Sequence, residues 1–191
     1  RLEVHTELGV VLGKLGDWWG ALGSLPNALQ SYSGSATHLA KAHTGRPEAA
    51  HALALTYLKI GETMLSAEDP VKAREAFDRC VSLRKESYDR LAGDDTQPQS
   101  ALQKAAFEYA AALGSRAKVA DSVEQAQFLL REGLKLLDQW SAPPSEDSQP
   151  TPFDIQVVGL RSFLEDFLTN TDKEDGVVSA PQSTATETDK A

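Results

Sequence analysis

Cysteine appears once in this 191-residue chain, at Cys80. A disulfide framework is therefore excluded, a reducing compartment such as the cytoplasm is compatible, and the thiol is expected to be a small, inert packing group. No segment approaches the roughly 20 consecutive apolar residues of a membrane span, so no membrane partner is expected. The glycines form no phosphate-cradling loop, because Gly16, Gly61 and Gly114 lie inside helical patterns. The four histidines, His5, His38, His43 and His51, lack the i, i+4 pair of a zinc-protease helix. Neither a Ser-His-acid nor a Cys-His set emerges from spacing, and the carboxylates are scattered among Lys and Arg with no isolated acid/base pair. The expectation is a chain with no catalytic residues, no metal and no cofactor.

Positive charge is also in short supply. Residues 1–140 carry 16 Lys/Arg against 18 Asp/Glu, a net of −2, whereas residues 141–191 carry 3 against 10, a net of −7. A nearly neutral body with an acidic end has no electrostatic footprint for nucleic acid or an anionic membrane. Arg79, Arg84, Lys85 and Arg90 are locally basic, but Glu75, Asp78, Glu86 and Asp89 interleave with them at helical ion-pair spacing. That pattern predicts a solvated helix face.

What the chain does have is a repeat. Leu15-Gly16, Ile60-Gly61 and Leu113-Gly114 each have an Ala twelve residues after the Gly, at Ala28, Ala73 and Ala126. Leu12, Tyr57 and Ala110 stand four residues before each Gly; Trp19, Met64 and Ala117 stand three after it. Tyr32, Phe77 and Leu130 stand four after each Ala. Small residues let two antiparallel helices approach closely, and bulky residues one turn away fill the space between their axes. Recurrence at fixed offsets identifies a helical repeat array.

These residues resemble the tetratricopeptide repeat, with the closest match at 54–87 through Tyr57, Ile60-Gly61, Met64, Ala73, Phe77 and Cys80. A first copy covers 9–42. A third, 107–140, has Ala110, Ala117 and Gly133 in place of aromatic or larger residues and rests mainly on spacing. The spacing between glycines, 45 and then 53 residues, exceeds the family's usual 34. The Pro that normally closes the second helix is replaced by Ala40, Lys85 and Asp138, so that helix can run on. This form is similar to long-helix repeats attached to bacterial signalling kinases and NTPases. The resemblance implies an all-α, right-handed superhelical stack of three helical hairpins over residues 1–140.

Caps and prolines set the expected boundaries. First helices are expected at 2–22, 47–66 and 98–119, and second helices at 25–43, 70–92 and 122–140. Ser24-Leu25-Pro26 and Asp69-Pro70 mark two starts, and Asp121 with Glu124 reads as a capping box for another. A Pro-rich linker follows at 141–151, then a helix at 152–169 opened by Thr151-Pro152 and Asp154. Phe153, Val157, Leu160, Leu164 and Phe167 give that helix an apolar face that should cap the open end of the stack. Residues 170–191, rich in Thr, Ser, Asp and Glu, are expected to be disordered. The chain begins at Arg1, already within an apolar-periodic pattern, which predicts a piece of a longer protein with further repeats or domains.

In the resembled family the first helices of the hairpins line a concave binding groove. Here that groove would present Lys14, Asp17, His51, Leu55, Leu58, Lys59, Glu62, Glu108, Ala111 and Ser115. Lys14/Asp17 and Lys59/Glu62 would be equivalent pairs giving register to a bound peptide. The basic clamp of chaperone-tail adaptors is missing, since the third repeat offers Glu108, Ala111 and Ala112. The expected function is a non-catalytic protein-interaction scaffold for a peptide or partner domain. The alternatives are a regulatory segment of a larger signalling enzyme and, from a different class, a small helical enzyme or ligand sensor.

Overall fold

In a computed structural model of the chain, the structure describes residues 1–140 and 150–178. Seven helices follow one another: α1 (Leu2–Ala21), α2 (Leu25–Ala40), α3 (Pro47–Ser66), α4 (Pro70–Ala92), α5 (Gln99–Ala117), α6 (Val123–Trp140) and α7 (Pro152–Val178). Among the described residues the fold is all-α. Each helix packs mainly on its chain neighbours, giving three antiparallel hairpins, α1/α2, α3/α4 and α5/α6, stacked in sequence with α7 against the last. Residues 141–149 of the linker expected at 141–151, and 179–191 of the tail expected at 170–191, lie outside the described residues.

Local chemistry sets the helix starts. Asp69 caps α4 by accepting the Lys72 backbone N–H at 3.0 Å. Thr151 and Asp154 cap α7 reciprocally: Thr151 Oγ1 accepts from the Asp154 N–H at 3.2 Å, and Asp154 Oδ2 accepts from the Thr151 N–H at 2.8 Å. The box expected for α6 is displaced by one residue. Ser122 accepts from the Gln125 N–H at 3.2 Å, and Gln125 Oε1 accepts from the Asp121 N–H at 2.8 Å. Asp121 is thus outside the helix, and Gln125 takes the place assigned to Glu124.

The turns of the first two hairpins share a left-handed residue at one register position, Gly23 (φ 73°) and Glu68 (φ 59°). Glycine adopts that conformation freely, whereas a residue with a Cβ carries steric strain there.

Within the hairpins the small residues lie where the spacing puts them. Ala28, Ala73 and Ala126 are buried. A Cβ at Gly16 would come within 2.5 Å of the Tyr32 ring, and one at Gly61 within 2.4 Å of Phe77. Each aromatic is seated on a glycine of the facing helix, so the axes can approach closely. Ala73→Leu should overpack the α3/α4 crossing and lower stability by on the order of 1–3 kcal/mol. Thermal unfolding followed by helical circular dichroism measures this, and an unchanged midpoint would contradict the packing register.

The third hairpin closes differently. Leu130 stands where the others have Tyr32 and Phe77, and the space against Gly114 is taken by Leu164 from α7, whose Cδ2 lies 2.7 Å from where a Gly114 Cβ would be. Leu164 is fully buried with Ala110, Ala117, Ala126, Leu130 and Leu137. The missing aromatic thus leaves room that only the last helix fills. α7 also runs past the Asn170 boundary at which disorder was expected. Thr171 is buried and its hydroxyl donates to the Leu168 carbonyl, and Asp172 accepts from Gln127 at 2.9 Å. Polar composition suggested disorder there, and contacts with α6 override it.

Candidate functional site

A depression lies between α1 and α3, with α2 as its floor. Two hollows of about 220 and 440 Å³ share Asp17, Tyr32 and Lys59 in their lining. Val10, Gly13, Lys14, Leu39 and Leu55 complete much of the first; Gly20, Leu25, Glu62 and Ser66 help line the second. Five of the expected groove residues, Lys14, Asp17, Leu55, Lys59 and Glu62, therefore meet at one continuous depression.

Its charges are held in different ways. Lys59 Nζ and Glu62 Oε2 are 3.6 Å apart as an i, i+3 pair. Asp17 Oδ1 accepts a 2.7 Å hydrogen bond from the Tyr32 hydroxyl. Burial of that phenol, together with its bond to Asp17, pushes its pKa well above the ordinary tyrosine range. Tyr32 thus remains a hydrogen-bond donor, fixing the Asp17 carboxylate at the boundary between the two hollows. The depression combines an apolar bed with fixed polar groups at its edge.

The repeat register explains why space opens here. Shifting Gly13 and Leu39 forward by 45 residues gives Leu58 and Arg84, which occupy the corresponding interval between α3 and α5. Leu58, expected in the groove, instead packs against two core clusters, one with Ala54, Cys80 and Ala112 and the other with Ala73, Phe77 and Val119. A long side chain at a position that is glycine in the first repeat reaches down between helices and joins the core.

Arg84 is a second correction. The alternating charges predicted a solvated face, but Arg84 is buried. Its Nη1 donates to Glu108 Oε2 at 2.6 Å and lies 2.9 Å from His51 Nδ1. His51 Nδ1 is also 3.4 Å from that Glu108 oxygen. Burial alone would raise the Glu108 pKa, but the His51 hydrogen bond and the Arg84 charge outweigh it and hold the carboxyl below the ordinary glutamate range. His51 and Glu108 thus form a separate, internally paired cluster linking α3, α4 and α5. Ala111 and Ser115 are half-buried on α5 and line neither hollow.

Sequence reasoning also treated the histidines one by one and missed a pair. His5 Nδ1 and His38 Nδ1 lie 3.0 Å apart across α1 and α2. The antiparallel register that opposes Gly9 and Leu39 was the available signal. Cys80 is buried, and desolvation pushes its thiol up to about 11 despite the lowering influence of Arg84. Among the described residues, no group of three or more His, Cys, Asp or Glu side chains is arranged to hold a metal ion. No described helix is long and apolar enough to cross a membrane.

No family model matches the chain. It is similar to protein NCA1 of Arabidopsis thaliana. The two are 31% identical over 169 residues, covering 85% of this chain and 38% of NCA1. The similarity therefore spans most of the helical array, while the chain corresponds to well under half the length of that relative.

Proposed function

We propose that this chain is a tetratricopeptide-like interaction module that binds a peptide segment in the depression between α1 and α3. The observation carrying this reading is the Gly13 opening: the same interval is occupied in the next repeat by Leu58 and Arg84, but here it leaves Leu55 exposed over the buried Leu39, beside Lys14, Asp17, Lys59 and Glu62. The apolar bed suits one large side chain of an extended segment, and the charges at its rim suit a backbone flanked by both signs. The solvent-facing setting of these groups supports binding over catalysis. A lone, buried Cys80 is in keeping with a cytoplasmic setting.

Peptides selected from a phage-displayed library should map by NMR to Lys14, Asp17, Leu55 and Lys59. Gly13→Leu places in the first repeat the residue that fills the second; the nearest atom to a Cβ at Gly13 is Ser35 Oγ at 3.4 Å, so the backbone tolerates it. This variant should keep its melting temperature and bind the selected peptides at least about tenfold more weakly, equivalent to ~1.4 kcal/mol. Reversing Lys59 and Glu62 together should weaken binding with little change in stability, as for an exposed ion pair. Equal affinity in both variants would remove the depression as the binding site.

A further inference from the structure

A different face of α1 carries Val4, Leu8, Val11, Leu15 and Trp18, continued by Leu22 just beyond the helix. Their exposures run from 40% to 62%. Alternating steps of four and three place them in one stripe, about 27 Å long at the helical rise. This is a contiguous apolar strip rather than scattered surface residues.

The repeat register says what such a strip is for. Shifted by 45 residues, Val4, Leu8 and Val11 become Ala49, Leu53 and Thr56 of α3, all buried. Ala49 and Leu53 pack with Ala36 and Leu39 of α2, and the Thr56 hydroxyl lies 3.1 Å from that of Ser35. Shifted a further 53 residues, Val11 and Trp18 become Tyr109 and Arg116 of α5. Tyr109 meets the Tyr88 ring of α4, and Arg116 bonds Asp78 of α4 at 2.5 Å. The face that α3 and α5 each lay on the preceding second helix is bare on α1.

We infer that in a longer parent protein this stripe is covered by the second helix of a hairpin lying before Arg1, packed on α1 as α2 packs on α3. The occupant follows from continuity with the two internal interfaces, α2 on α3 and α4 on α5. A second copy fits less well. α2, α4 and α6 already lie against α3, α5 and α7, so a copy has no unpaired second helix to lay on α1 as α2 lies on α3. The covering helix should therefore carry an apolar repeat of three and four.

Hydrogen exchange on this 191-residue chain and on a natural, N-terminally extended parent protein tests the inference. Amides of α1 should exchange at least about tenfold more slowly in the parent, reflecting its lower opening probability. Val11→Glu with Trp18→Glu should abolish that difference in the parent. In the shorter chain, where both residues face water, the same substitutions should leave helicity and melting temperature unchanged. Equal α1 exchange in the two proteins would overturn the inference. So would light scattering showing the shorter chain to be a dimer with protected α1 that the double variant makes monomeric, since the occupant would then be a second copy. Gly13→Leu should affect neither measurement, which separates this result from the fate of the peptide-binding reading.

Discussion

Leu164→Ala should destabilise the chain by about 2–5 kcal/mol, the range for emptying a leucine-sized volume in a packed core. Leu164 is fully buried, and its methyls lie over Gly114 and Gly133. Neither glycine has a side chain that can relax into the space, so most of the cavity should persist. Phe163, its neighbour, is 39% exposed, and Phe163→Ala should cost distinctly less. Urea unfolding of the two variants measures the contrast; losses of similar size would mean that α7 is not seated through Leu164. Cutting the chain after Trp140 should uncover the same surface and promote association.

Glu108→Ala should cost about 3 kcal/mol, at the low end for breaking a buried pair because a fifth of the Glu108 side chain remains exposed. The loss comes chiefly from leaving the Arg84 guanidinium buried without its carboxylate. Arg84→Leu should behave oppositely, near neutral or stabilising, because it removes the charge that needs a partner. The repeat supports that choice: the equivalent positions in the first and third hairpins are Leu39 and Leu137, both buried. Chemical unfolding at neutral pH distinguishes the variants, and an equal loss in both would show that the pair stabilises the fold in its own right.

The same cluster predicts a direction with pH. Glu108 has a folded pKa below its ordinary value. Its contribution is therefore complete above the unfolded carboxylate range and is lost as pH falls through the lower folded value. In Arg84→Leu the acid loss should be smaller, because the carboxylate no longer has the guanidinium to favour its ionised form. Unfolding midpoints compared between neutral and acidic pH report that difference.

The regular elements were legible because their causes are local or periodic. Pro47 and Pro70 open helices at the expected residues, and α3 and α4 match their expected spans. Gly61 and Ala73 marked a close crossing because a small residue is required wherever two axes approach, and Phe77 supplied the matching bulk. Lys14, Asp17, Leu55, Lys59 and Glu62 were legible for the same reason: a fixed register puts corresponding residues of successive first helices on one surface.

By itself, then, the sequence determined the helices, their pairing into hairpins and the order of the stack, since each follows from spacing along the chain. Only the tertiary structure decided how each interval was filled. Leu58 turned into the core where Gly13 leaves a hollow, and Arg84 drew Glu108 and His51 into a cluster around its buried guanidinium. Leu164 entered the space beside Leu130 and Gly114, while contacts at Thr171 and Asp172 kept α7 ordered beyond Asn170. These outcomes depend on volumes and charges from helices distant in sequence, and packing satisfies them together.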